Sequence, residues 1–185
     1  MGNLKAAEDY ALLLVGSGEK AVPSITHLQK EMFILSRINK KILDHLTFEK
    51  HYYGPFSQTL SDIVENSLFR KDAFFFDEKR ICLSDTGKKG LQQILSKNKS
   101  LSKFKMFLIS IKLVRELYDR LNQNELLFLI YVTFPEYTEH SRIWERLVKN
   151  TDNRKRILKG LVSKGAITEE RFAEITEELD ERFGS

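Results

Sequence analysis

"AFFFDEKRICLSD", residues 73–85, decides the fold. Two short runs of aromatic, β-branched and other strand-favouring residues flank a charged tetrad, the pattern of two strands and a tight polar turn. With Glu78-Lys79 as the turn, Phe76 faces Ile81 and Phe74 faces Leu83. Strand side chains alternate, so both pairs share one side and Phe75 points to the other. This predicts a β-hairpin tipped by Lys79 and Arg80. The aromatic run reads as core packing in preference to base stacking, with Phe75 as the exception.

Everything around the hairpin is helical in pattern. Leu4–Val15 is an apolar helix closed by Gly16-Ser17-Gly18. Ser24 caps a second helix, in which Ile25, Leu28, Met32 and Leu35 recur at spacings of three and four. A short third helix carries Ile38, Ile42, Leu43 and Leu46. In "HYYGPFSQTL", residues 51–60, Gly54 frees the chain to turn and Pro55 suits a first helical turn. Phe56, Leu60, Ile63 and Val64 then form one apolar stripe on a helix over residues 55–67. After the hairpin, Ser84, Asp85 or Thr86 caps a helix over 87–95. Residues 96–103, "SKNKSLSK", are polar and mark a boundary. Beyond them come a long helix over 104–121, an all-round apolar helix containing "ELLFLIYV" and stopped by Pro135, and helices over 141–149, 152–163 and 169–182.

The expected fold class is therefore mainly α: a winged helix-turn-helix, helices plus one β-hairpin, over residues 1–97, followed by an all-helical extension over 98–185 that serves dimerisation or partner binding.

Charge is segregated. The net charge is only +4, but residues 79–115 hold ten basic residues against one acid. Residues 142–164 hold eight basic against two acidic, and residues 169–182 hold seven acidic against two basic. The longest apolar run, Leu126–Val132, is too short to span a membrane, and the single Cys82 excludes an internal disulfide and a multi-cysteine zinc site. The expectation is a cytoplasmic protein with no membrane association and no cofactor. His27, His45, His51 and His140 form no helical ligand pair, and Cys82 has no evident base, so no metal site, catalytic residue or enzymatic activity is expected.

Two motifs carry a resemblance. "LQKEMFIL" (Leu28-Gln29-Lys30, then Phe33-Ile34-Leu35) and "YGPFSQTL" (Tyr53-Gly54-Pro55-Phe56-Ser57, then Leu60), in that order, resemble the Leu-Gln-Lys and Tyr-Gly-Pro signatures of the Panacea domain, the SocA-like antitoxin family. "LSDTG", Leu83–Gly87, resembles a string that follows the wing in winged-helix proteins. The resemblance covers roughly residues 4–95. It implies a non-enzymatic module that binds a toxin or another protein, sometimes joined to gene regulation.

Two readings follow. In the first, the chain is a homodimeric DNA-binding transcriptional regulator. Lys79, Arg80, Lys88 and Lys89 contact phosphates of double-stranded DNA, and Ser57, Gln58 and Ser61 lie near the groove. In the second, it is an antitoxin or adaptor that binds a protein partner. The helix in the recognition position supports the second, because it carries Asp62 and Glu65 but no Lys or Arg.

Overall fold

The computed structural model describes residues 2–183. It is mainly helical, with a small antiparallel hairpin. No helix among the described residues is long and apolar enough to cross a membrane. The chain divides into two compact units, one of Met1–Glu49 with Phe56–Asp119, the other of Lys50–Pro55 with Arg120–Ser185.

In the first unit, helix α1 spans Gly2–Gly16 and α2 spans Ile25–Ile38, with Ser24 accepting from the His27 N–H as cap. A 3₁₀ turn follows at Lys40–Asp44. Two three-residue strands, β1 (Glu49–His51) and β2 (Gly54–Phe56), pair around Tyr52-Tyr53, and Lys50–Pro55 of this pair belong to the second unit. The sequence reading places Pro55 in a helical first turn. The structure places it in β2, and helix α3 runs only from Gln58 to Glu65 behind the extended Ser57. Gly54 has φ 79°, a left-handed conformation that glycine adopts without strain. Pro55 is tolerated in a short strand because it owes the ladder no N–H there.

Strands β3 (Phe74–Asp77) and β4 (Arg80–Leu83) form the expected hairpin, with Phe74 opposite Leu83, Phe75 opposite Cys82 and Phe76 opposite Ile81. Val22, between α1 and α2, exchanges both backbone hydrogen bonds with Ile81, at 3.1 and 2.9 Å. That bridge ties the hairpin to the root of α2. Phe74 is buried, as a core residue should be, but Phe76 is not. Its cross-strand partner Ile81 is fully buried and bridged to Val22, whereas Phe76 lies on the other strand, one pair from the turn, and is 44% exposed. Phe75 points outward and is 47% exposed.

Helix α4 spans Asp85–Asn98 and is capped by Ser84, whose hydroxyl accepts the Gly87 N–H at 3.1 Å. Helix α5 spans Ser102–Tyr118. The expected boundary at 97/98 is not where the contacts divide. Phe104, Phe107, Ile111 and Val114 of α5 belong to the core built by α1 and α2. Arg115 is fully buried and donates to the carbonyls of Leu14 (2.7 Å), Val15 (3.2 Å) and Lys20 (2.6 Å). The last carbonyls of a helix have no partner within it, and Arg115 supplies one for α1. So α5 completes the first unit, and Arg115 leaves the list of available surface cations.

The second unit packs α6 (Gln123–Thr133), α7 (Trp144–Val148), α8 (Thr151–Ser163) and α9 (Glu169–Phe183). Asn122 and Glu125 form a reciprocal capping box on α6, and residues Glu125–Tyr131 are all buried. Trp144 is core, with its ring 5.6 Å from Tyr131 and 6.2 Å from both Phe128 and Phe183. Gly165, with φ 67°, ends α8. Buried Arg154 pairs with Asp180 and donates to the Val148 carbonyl, so one cation of the basic 142–164 run is also structural.

Candidate functional site

Helix α3 is held at its first turn by one side chain. Gln29 of α2 accepts the Ser57 N–H at 2.8 Å and donates to the Ser57 carbonyl at 2.9 Å and to the Ser61 hydroxyl at 3.0 Å. An amide is suited to this because it presents a donor and an acceptor side by side, matching the peptide edge of Ser57. All three residues are buried, so these bonds are shielded from water. The clamp joins the two motifs of the resemblance: the glutamine of Leu-Gln-Lys grips the residue two places after Gly-Pro. The signal was present in the sequence, since Gln29 lies four after Ile25 and three before Met32, inside the apolar stripe of α2.

This geometry corrects two of the residues assigned to a DNA groove. Ser57 is 1% exposed and Ser61 6% exposed. They lie one helical turn apart on the inner side of α3, facing Gln29, so neither reaches outward. Gln58 is exposed, with its amide donating to Asp62 at 2.8 Å. Of the four cations, Arg80 is held by Asp77 at 2.5 Å across the hairpin turn and Lys88 by Asp85 at 3.3 Å. Lys79 and Lys89 are exposed.

The outward surface from α3 through the hairpin has a different character from the one a DNA groove requires. Asp62, Glu65, Asp72, Asp77 and Glu78 are exposed carboxylates, against the exposed cations Lys71, Lys79 and Arg80. Arg70 is withdrawn from this surface. It pairs with Glu8 at 3.1 Å and Asp9 at 2.8 Å on α1, while Glu8 also accepts the Phe69 N–H at 2.9 Å. That brace fixes the approach to β3 and leaves Leu68, Phe69, Phe75 and Phe76 exposed. The same segment thus presents four large apolar side chains and a surplus of acids.

The first unit also holds a buried charged cluster. Arg115 is bidentate to Asp119, with Nε–Oδ1 at 3.1 Å and Nη2–Oδ2 at 2.9 Å, and is 3.5 Å from the Glu31 carboxylate. Burial holds the Glu31 carboxyl well above the usual carboxylate range; Asp119 adds to the shift and Arg115 opposes it. Burial alone pulls the neighbouring Lys30 down to about 7.

No known family model matches the chain, and no curated protein matches it. The Panacea resemblance therefore rests on its two motifs, and the Gln29 clamp is a physical reason for their pairing in this chain.

Proposed function

We propose that the chain is a non-enzymatic winged-helix module that binds a protein partner through the outer side of α3 and the hairpin, in the manner of an antitoxin or adaptor. Support for the winged-helix part comes from element order: helix, bridging residue, helix, helix, hairpin, with the bridge on the second hairpin strand. Support for the partner comes from one observation. The helix in the recognition position offers Gln58, Asp62 and Glu65 to the outside and no cation, beside a hairpin that bares Phe75 and Phe76. Carboxylates there repel phosphates, whereas exposed aromatics ringed by charge suit a protein surface. The partner's matching surface is apolar and rimmed by Lys and Arg.

The test is affinity purification of the tagged chain from its native host, followed by mass determination of the complex. A stoichiometric protein is expected with the wild type and is lost with Asp62→Lys or Phe76→Ser, each checked for folding by circular dichroism. Recovery of nucleic acid alone overturns the reading.

DNA binding is kept as a second reading by a specific observation. Lys79, Lys89, Lys97, Lys99, Lys103, Lys105 and Lys112 are exposed, and none sits in an ion pair among the described residues. Together they can neutralise several phosphates, and binding to duplex DNA would then fall steeply with salt. A flat or undetectable response from low salt upward removes it.

A further inference from the structure

We infer that the first unit carries a binding site for an amphipathic organic carboxylate, in the cavity between α1, the end of α2, α4 and α5. The inference is independent of the partner reading. The cavity measures about 480 Å³, within the span of small-molecule pockets. Its inner wall is apolar: Leu13, Ile94, Phe104 and Phe107 line it, and the Phe107 ring stands edge-on to Tyr10 with centroids 5.7 Å apart. Ile38 and Met106 also line it, yet they are 56% and 64% exposed. Two large apolar side chains at the edge of a concave surface are positioned to cover a hydrocarbon tail.

The charges select the head group. Asp9, Lys41 and Lys103 are the charged residues of the lining. The Asp9 carboxylate is already matched by Arg70 at 2.8 Å. Neither Lys41 nor Lys103 sits in an ion pair among the described residues. The lining therefore offers two exposed lysines outside any ion pair among the described residues, and its one carboxylate, Asp9, is already paired. Tyr10 adds a neutral hydroxyl that hydrogen-bonds Asn39, its phenol held above the ordinary value by burial and then by the charge of Asp44. Asn98 is occupied, its amide donating to the Ile94 carbonyl at 2.9 Å. An anion with a tail satisfies both halves of the site. A neutral alcohol gains no attraction from the two exposed lysines, and a small inorganic anion leaves the apolar wall wet.

Isothermal titration of the full chain with octanoate, octanol and acetate tests this. Saturable one-to-one binding of octanoate is expected, with octanol and acetate each weaker by about tenfold or more. The Lys41→Ala/Lys103→Ala double variant should lose about tenfold in octanoate affinity, while Lys97→Ala, outside the cavity, should not change it. Ala6→Trp, which fills the cavity from α1, should abolish binding with an unchanged far-ultraviolet circular dichroism spectrum. No saturation in the millimolar range, octanol binding as tightly as octanoate, or an unaffected double-lysine variant would each overturn the proposal.

Discussion

Gln29 sets the position of α3 through three hydrogen bonds, all in a buried setting. Truncating it leaves the Ser57 N–H without a partner and the Ser57 carbonyl with only the Ser61 N–H, at 3.3 Å, and an unsatisfied buried group costs about 1–3 kcal/mol. Gln29→Ala should therefore lower unfolding free energy by about 2–4 kcal/mol, read from the urea midpoint. Gln29→Glu should also destabilise, because an ionised carboxylate cannot donate to Ser57. Lys30 and Glu31, the next two residues, make opposite demands on pH. The folded pKa of Lys30, about 7, lies below its unfolded value, so the unfolded state binds more protons between pH 7 and the ordinary lysine range. Stability from this group rises with pH across that window and is lost as pH falls through about 7. The Glu31 carboxyl is raised, so its contribution is full below the ordinary carboxylate pKa and declines as pH climbs towards its folded value. Urea midpoints measured against pH should show Lys30→Met removing the alkaline rise and Glu31→Gln removing the decline.

At the scale of the element, the hairpin is the feature most legible in the chain. Its register follows from alternation: shifting the pairing by one residue would turn Phe74, Ile81 and Leu83 out of the core. Its turn breaks the usual rule, because Glu78 holds φ 57° where glycine or asparagine is the common choice. Glu78→Gly should relieve that strain and raise the melting temperature, a gain of about 0.5–1 kcal/mol. If the midpoint falls instead, Glu78 makes a contribution beyond the turn. The start of α4 is less forgiving. A Cβ on Gly87 would lie 2.2 Å from the Ala73 carbonyl oxygen, which also accepts the Ser84 N–H. Gly87→Ala should cost about 1–3 kcal/mol in thermal unfolding, since backbone must shift to admit the methyl. The hairpin's aromatics were legible in kind but not in exposure. Period-two alternation assigns Phe76 and Ile81 the same face, and only the tertiary structure determines that Ile81, bridged to Val22, is covered while Phe76 on the other strand is not.

For the whole molecule, the division at 119/120 is the testable statement. A fragment covering residues 1–119 keeps α5 on its core and Arg115 on the end of α1. A fragment covering 1–97 bares the apolar surfaces of α1 and α2 that Phe104, Phe107, Ile111 and Val114 cover. The longer fragment should unfold cooperatively in urea, and the shorter should aggregate or bind a hydrophobic dye. Equal cooperativity of the two would return the boundary to the polar stretch at 96–103.

Most of the helices, the cap at Ser24, and the β3–β4 hairpin with its register are local properties, whereas the β1–β2 pair around Tyr52-Tyr53 was not legible. The local properties follow from periodicity and hydrogen-bonding capacity within a dozen residues, so reading the chain in order recovers them. Three features belong to the tertiary structure alone. Ser57 and Ser61 look like surface polar residues until Gln29, almost thirty positions away, turns them inward. Arg115 counts as one of ten cations until α1 buries it on its terminal carbonyls. The cavity beside Lys41 and Lys103 takes walls from four separated helices. Each depends on long-range closure, in which residues far apart in the chain share one desolvated space, and no local pattern encodes which of them will meet.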